Sequence, residues 1–352
     1  MQGDFQQILD SGWLTKGPFV KAFRSRIATH TGAQHAFLTT SATTALSLCL
    51  KVLDTGPGDE VVVADFSFPA TANVVEDLGA TPVFADVVAS TYNMCPIALK
   101  AALSPRTKAV IFVDALGNPS GLPEIAQLCA EHGVPLIEDA ACAFGSSVGG
   151  VACGNIADMT CFSFHPRKLV TTGEGGALTV RDQSRAAWLE RRLNHGAVAS
   201  GGRLDFVDHG YNFRMSELQA AMGVRQLEKL PSIIEGRQRT RTEYIERLTP
   251  LGFVAQEVAA NVQFNTQSVV ARVPAGHERD ALVAALHEKG IESTLGTYCL
   301  SRCSYYLKKY NSVQPVADML QETTIALPCY ENVDVETVCN AIHQVLDTWR
   351  GR

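Results

Sequence analysis

The sequence has little that would set it apart from ordinary globular enzymes. None of its ten cysteines, at 49, 95, 129, 142, 153, 161, 299, 303, 329 and 339, forms a CxxC pair. Several sit in apolar runs such as Leu46-Ser-Leu-Cys-Leu50, the usage of small buried hydrophobes in a reducing compartment. Positive charge is not in excess. The 30 Lys and Arg against 36 Asp and Glu leave a formal net charge of −6, which argues against nucleic acid as the main partner. No run of about 18 apolar residues occurs, so no membrane span is expected. The first residues, Met-Gln-Gly-Asp-Phe, contain no basic segment leading into an apolar one. No internal repeat, low-complexity tract or metal-ligand set stands out. A cytoplasmic protein is expected.

What is present is a regular alternation. The chain has 352 residues, 46% of them hydrophobic and 19% charged. That suits a large domain over 1–250 and a smaller α/β domain over 251–352, divided near Thr249-Pro-Leu-Gly252. Strands are predicted at Phe37-Leu38, Glu60–Val63, Thr81–Phe84, Lys108–Val113, Val134–Glu138 and Ala177–Val180, with helical patterns between most of them. Nearly continuous apolar strands separated by helices predict a mainly parallel sheet covered on both faces. Ligands bind such sheets beyond the carboxyl ends of the strands. Phe66-Ser-Phe68, Asp114, Asp139 and the loop of Lys168 all fall at or just past strand ends. Residues 197–210, preceded by Gly196 and punctuated by Gly201, Gly202 and Gly210, predict a mobile loop. One long helix is predicted from Glu217 into the 240s. In the smaller domain, strands are predicted at Ser268–Val273, Ile291–Thr294 and Ile325–Leu327. Tyr298, Tyr305, Tyr306 and Tyr310 cluster with Arg302, Lys308 and Lys309, as a surface group or as a segment reaching a substrate.

The stretch Cys161-Phe-Ser-Phe-His-Pro-Arg-Lys-Leu-Val-Thr-Thr-Gly-Glu-Gly-Gly176 is the most informative. It sets Lys168 between two strand patterns, before a glycine-rich turn that allows close approach. Most lysines are solvated surface residues. A lysine at the mouth of a sheet, however, can condense with an aldehyde to form a Schiff base. Asp139 can pair with a protonated ring nitrogen, although a helix cap is the commoner role of such an aspartate. Phe68 can offer a flat face, although core packing is commoner. Thr39-Thr-Ser-Ala-Thr-Thr44 opens a helix, and free amides there can hold a phosphate or simply be capped.

These residues, taken in order, resemble the DegT/DnrJ/StrS family of pyridoxal-phosphate-dependent sugar aminotransferases. The landmarks are Ser11-Gly-Trp-Leu-Thr-Lys-Gly17, Thr40-Ser-Ala-Thr43, Gly58-Asp-Glu-Val-Val-Val63 with Phe66-Ser-Phe68, Gly79-Ala-Thr-Pro-Val-Phe84 and Ile137-Glu-Asp-Ala-Ala141. Ser163-Phe-His-Pro-Arg-Lys168 with Gly173-Glu-Gly-Gly176, Asn194-His-Gly196 and Gly210-Tyr-Asn-Phe-Arg-Met-Ser216 follow. The last third carries no landmark of comparable strength.

The resemblance implies a fold-type-I architecture, with a seven-stranded, mainly parallel sheet in the large domain and a homodimer sharing active sites. It implies pyridoxal 5'-phosphate held by Lys168 as an internal aldimine, with Asp139 at the ring nitrogen and Phe68 on the ring face. It places Ala42, Thr43 and Ser163 at the phosphate, and Asn212 at the phosphate of the neighbouring subunit's cofactor. It implies an amino acid, L-glutamate, as donor and a keto sugar, nucleotide-linked, as acceptor. The lysine separates this chain from the family's dehydratase branch, where a histidine replaces it. Two features depart from the family pattern. The lead-in before Ser11 is short, and Cys142 stands where Gln or His is common, near the cofactor's phenolic oxygen. Arg167, Arg192, Arg203 and Arg214 are candidates for anion contact. Rival readings are a related enzyme acting on a non-sugar substrate and a non-catalytic protein retaining the fold.

Overall fold

The computed structural model describes residues 1–350. Helices α1 (Gln2–Ser11) and α2 (Pro18–Thr31) precede a seven-stranded sheet. Its strands are β1 (His35–Thr39), β2 (Glu60–Ala64), β3 (Thr81–Ala85), β4 (Thr107–Val113), β5 (Leu136–Asp139), β6 (Met159–Ser163) and β7 (Gly176–Val180). They lie side by side in the order β1-β7-β6-β5-β4-β2-β3. The run from β6 to β3 is parallel, and β7 is antiparallel to both β6 and β1. The expected mainly parallel α/β architecture is thus observed.

The sequence dictates this sheet through burial on two sides. All five residues of β2 are buried. Val61 and Val63 join one core, with helices α3 (Ala42–Val52) and α4 (Ala70–Asp77). Val62 and Ala64 join another, with α5 (Pro96–Ala102) and α6 (Leu122–Glu131). Successive side chains of a strand point to opposite faces, so a strand covered on both sides reads as an unbroken apolar run. Helix α7 (Gln183–Arg192) completes the first face through Ala186 and Leu189. A third core sets Phe23 and Ile27 of α2 against Phe162, Phe164, Ala220 and Val224.

Two expectations are corrected. Residues 197–210 do not form a structureless loop. Strands β8 (Ala197–Ser200) and β9 (Arg203–Phe206) pair as a hairpin, with Ser200 opposite Arg203. Gly201 and Gly202 both have positive φ, 58° and 77°, which is what a two-residue turn matching strand twist requires. The predicted long helix is two, α8 (Glu217–Leu227) and α9 (Leu230–Leu248). Pro231, with no N–H to donate, lies in the first turn of α9 and so opens a new helix.

The C-terminal part carries a four-stranded antiparallel sheet of β10 (Val254–Ala255), β11 (Val269–Arg272), β12 (Thr294–Leu295) and β13 (Thr324–Leu327), in the order β10-β11-β13-β12. The strand predicted at 291–294 is therefore the shorter β12. Helices α10 (Arg279–Glu288), α11 (Ser304–Tyr310), α12 (Pro315–Thr323) and α13 (Val335–Arg350) accompany it. Tyr244 and Leu248 of α9 share its core with Leu282, Leu286, Ile325, Ile342 and Leu346. Short strand pairs tie it to the rest: Val262–Gln263 with Ser147–Val148, and Tyr298–Cys299 with Phe66–Ser67. The tyrosine cluster is mostly a fastening. Tyr306 donates to Asn73 Oδ1 (2.5 Å), while Tyr310 donates to Glu76 Oε1 (2.6 Å). No helix among the described residues is long and apolar enough to cross a membrane.

One buried carboxylate joins the ends of the chain's first two-thirds. Glu217, fully buried, accepts from the amides of Gly17 (2.8 Å), Phe19 (2.9 Å) and Val20 (2.9 Å). These are the free amides at the positive end of α2, where an anion is favoured. A Cβ on Gly17 would lie 2.7 Å from this carboxyl group, so only glycine fits. Glu217→Ala is expected to cost about 3 kcal/mol or more, since three buried amides lose a charged acceptor. A urea midpoint unchanged from wild type would contradict this account.

Candidate active site

Strand register gathers the site. Val113 lies beside Asp139, and Asp139 beside Cys161, across the parallel strands. Ser163 lies beside Gly176, and Gly176 beside Thr39. The carboxyl ends of β1, β5 and β6 and the first residue of β7 therefore form one edge. The Lys168 turn follows β6 directly, and the Lys168 amide donates to the His165 carbonyl (2.9 Å).

Lys168 Nζ points back toward the loop after β5 and lies 2.9 Å from Cys142 Sγ. Burial alone would lower the Lys168 amine. The Cys142 sulfur and the Asp139 carboxylate outweigh that and hold it above its ordinary value, against a smaller opposing push from Arg167. Asp139 is buried and accepts the Ala141 amide through Oδ1 (3.1 Å). Burial pushes its carboxyl up to about 6, with the Ala141 amide and the Lys168 charge pulling the other way.

The start of α3 forms the neighbouring corner. Ser41 Oγ accepts from the Thr44 amide (3.1 Å) while Thr44 Oγ1 accepts from the Ser41 amide (3.1 Å). This reciprocal cap uses Thr44 and leaves the amides of Ala42 and Thr43 at the helix end without a protein acceptor among the described residues. A Cβ on Gly176 would come 2.3 Å from Ser41 C and 2.6 Å from the Ala42 nitrogen. Only glycine lets β7 press against this helix start. Ser163 Oγ accepts from the His165 amide (3.3 Å), which leaves its own proton to donate. Phe68 stands 66% exposed, with the Tyr298 ring edge-on at 6.4 Å. Asn212 is exposed, and among the described residues its side chain has no hydrogen-bond partner.

Asp114 departs from expectation. It ends β4 on the correct edge, but its side chain turns inward and is fully buried. One of its oxygens, one from Glu138 and the Cys153 sulfur lie within 4.8 Å of one another. Among the described residues neither Asp114 oxygen has a donor, and Glu138 Oε1 has none. Burial first, then the charge of Glu138, push the Asp114 carboxyl well up. Among the candidate arginines, Arg192 is committed to Asp208 (3.1 Å) and the His209 carbonyl (2.9 Å), and Arg214 to the Leu193 carbonyl (2.9 Å). Arg167 and Arg203 are exposed, without a recorded guanidinium partner among the described residues.

Sequence reasoning missed the residues that hold these loops. Asn265 Nδ2 donates to the carbonyls of Cys142 (2.8 Å) and Phe144 (3.0 Å). Gln267 Nε2 donates to the Arg167 carbonyl (2.7 Å), and Gln267 Oε1 accepts from the Leu169 amide (3.3 Å). Asp65 accepts from the amide and hydroxyl of Ser301, both at 2.7 Å, which anchors the segment bearing Tyr298. All three lie in irregular segments, where no periodicity reports a side chain's direction. A cleft of about 640 Å³ was also missed; it is lined by Lys16, Lys21, Arg24, Arg191 and Arg214 among others. Lys16 lies in the Ser11–Gly17 landmark, which was its only sequence signal.

The donor set fits pyridoxal phosphate. It offers an amine for the aldehyde, a buried carboxylate with a free oxygen for a ring nitrogen, and amides at a helix start for a phosphate. Residues 1–346 match the profile of the DegT/DnrJ/EryC1/StrS aminotransferase family. UDP-N-acetyl-3-dehydro-alpha-D-glucosamine 3-aminotransferase of Acidithiobacillus ferrooxidans is 34% identical, over 98% of this chain and 92% of the relative. Aminotransferase TlmJ from Streptoalloteichus hindustanus has a similar structure, with a TM-score of 0.92 at 32% identity over 99% of this chain and 96% of that one. Spr1654 from Streptococcus pneumoniae, solved in its PLP form, gives 0.89 at 27% identity over 98% and 97%.

Gly176→Ala should weaken capture of pyridoxal phosphate by about tenfold or more, because the added methyl pushes the α3 start out of place. Equilibrium dialysis of the folded variant checks this; wild-type affinity would detach Gly176 from the phosphate corner.

Proposed function

The chain belongs to the DegT/DnrJ/EryC1/StrS aminotransferase family, and from that premise we propose that it transfers the amino group of L-glutamate to a nucleotide-linked keto sugar. Pyridoxal phosphate bonded to Lys168 is the carrier. The observation that carries this reading is the placement of Lys168 Nζ beside Cys142 and Asp139 at the carboxyl edge of the sheet. The name of the Acidithiobacillus relative, a 3-aminotransferase of a UDP-linked dehydro sugar, supports the acceptor class. Amino-sugar biosynthesis, for a surface polysaccharide or a secondary metabolite, is the corresponding setting.

When bound, the cofactor supplies an electron sink and carries the amino group between two half-reactions. Asp139 would keep a negative charge opposite the ring nitrogen. The Ala42 and Thr43 amides and the Ser163 hydroxyl would hold the phosphate, and Phe68 would cover the ring face. Lys168 Nζ, as a free amine, would take the proton from the donor's α carbon as base and deliver it again as acid on the far side of the nitrogen. The same atom runs the reverse sequence on the acceptor.

The working unit in this reading is a cytoplasmic homodimer with a domain division at 250/251. Support for the division comes from the separate core formed by β11, β13, α10 and α13. Support for the dimer comes from what one chain leaves uncovered. Asn212 is exposed, and the β8–β9 hairpin and the residue after it expose Val198, Leu204, Phe206 and Val207.

Three outcomes are expected. Adding glutamate to the yellow holoenzyme should bleach its visible band, and a nucleotide-linked keto sugar should restore it. Lys168→Ala should abolish both changes while the protein keeps its assembly state, and a variant with near wild-type turnover would refute the mechanism. Asp139→Asn should retain cofactor but slow each half-reaction roughly 100-fold or more, as loss of a preorganised charge does. Unchanged single-turnover rates would remove Asp139 from this role.

A further inference from the structure

Cys142 occupies a position that the chemistry described so far does not use. Its sulfur lies 2.9 Å from Lys168 Nζ. Sulfur is larger than oxygen, so this is a close approach, and charge-assisted hydrogen bonds are the short ones. The spacing is fixed from outside. Asn265 holds the backbone of Cys142, Gln267 holds the backbone on both sides of Lys168, and the Gln267 amide donates to Asn265 Oδ1 (2.9 Å). One short segment thus clamps both loops. Asn265 itself is buried, and a Cβ on Gly117 would strike its Oδ1 at 2.3 Å. The clamp is therefore rigid.

A thiol is an unusual neighbour for an amine that must gain and lose a proton. An ordinary thiol titrates near ~8.5 and an ordinary lysine near ~10.4, and a cation beside a thiol favours the thiolate. Moving the proton from the ammonium to the thiolate is uphill, by about two pH units between the ordinary values, so the ammonium–thiolate form dominates and the neutral amine is reached through the sulfur as a minor form. We propose that Cys142 is the proton partner of Lys168: whenever the lysine amine is free, one proton is shared between Nζ and Sγ. The N–H bond of the ammonium breaks as the S–H bond of the thiol forms, and the reverse restores the ammonium–thiolate pair. No electrons change hands. The lysine can then become a base without releasing its proton to water. Cys142 acts through Lys168 and is a positioning residue.

Three titratable or charged groups face the pair: Asp139 at the end of β5, Arg167 in the lysine's own loop and Asp114 just past β4. Burial and the neighbouring carboxylates hold the proton affinity of Asp114 well up. Asp139 raises the proton affinity of Lys168 and Arg167 lowers it.

The inference rests on Lys168 being the cofactor's lysine, and its test does not need turnover. The full chain, freed of pyridoxal phosphate, is alkylated with iodoacetamide across a range of pH. Mass spectrometry of the Cys142 peptide separates it from the other nine cysteines. In wild type the half-maximal rate should fall at least about one pH unit below its position in Lys168→Met, because the ammonium stabilises the thiolate. In a second experiment, the rate at which Lys168 captures pyridoxal phosphate is followed against pH in Cys142→Ser. Capture needs the neutral amine. Loss of the thiolate lowers the lysine's proton affinity, so the acid limb should move to lower pH. Either profile staying at its comparison position overturns the proposal. Should borohydride fix no pyridoxal on Lys168, the functional reading fails, while the alkylation profiles still decide the pair.

Discussion

The attraction between the Asp139 carboxylate and the Lys168 ammonium acts through protein rather than through bulk water. Two unit charges 4 Å apart gain about 1 kcal/mol in water but about 4 kcal/mol at the effective dielectric of a partly buried site. The sheet makes that difference usable. Register fixes Asp139 beside Cys161 and Ser163 beside Gly176, so the turn that follows Ser163 returns Lys168 over the end of β5. Burial lifts the Asp139 carboxyl to about 6, which still leaves it charged at neutral pH. A stronger lift would silence the site, and a solvated aspartate would bind a ring nitrogen weakly.

That balance depends on what lies behind it. Three carboxyls, Asp114, Glu138 and Asp139, are buried within a few residues of one another at the ends of β4 and β5. All three cannot be ionised in such a place. Thr160 donates to Glu138 Oε2 (2.7 Å), as does the Gly154 amide (3.2 Å), whereas Asp114 has no donor. Burial first, and then the neighbouring carboxylates, hold Asp114 well above the ordinary carboxyl range, which favours its neutral form and lightens the charge around Asp139. Asp65 shows the contrasting use of a buried acid: burial also lifts it to about 6, yet three donors from Cys299 and Ser301 surround it and its work is to hold a segment in place.

The main sheet was legible because both its faces are buried. The unbroken apolar runs of β2 and β4 have no other stable use, and the hydroxyl-rich turn after β1 and the glycine-rich turn after β6 mark the edge singled out as the candidate site. The hairpin was missed because its four glycines read as looseness, whereas two adjacent ones, Gly201 and Gly202, fit the turn that pairing needs. The helix break at Pro231 was missed because apolar periodicity continues across it, and one absent N–H decides the matter. Asp114 was placed on the correct edge, but sequence spacing does not say which way a strand-end side chain turns. Asn265 and Gln267 left no signal. Their importance lies in contacts to segments more than 90 residues away.

Incomplete burial is the remaining record of function in a single chain. Fully burying a large apolar side chain is worth about 1.5–3 kcal/mol, so a folded protein seldom leaves a cluster of them in water without a use. Exposed ones are scattered over the chain, Ile97, Trp13 and Tyr330 among them, but Phe68 stands out at the sheet edge, and Leu204, Phe206 and Val207 form a run on and just after the hairpin. The first stands beside Tyr298, with the ring centroids 6.4 Å apart. The second flanks the segment that carries Asn212, the residue assigned by resemblance to a neighbouring subunit. A ligand face at Phe68 and a subunit face at the hairpin, as proposed above, would each give such an apolar surface a use in a chain whose main sheet is covered on both sides.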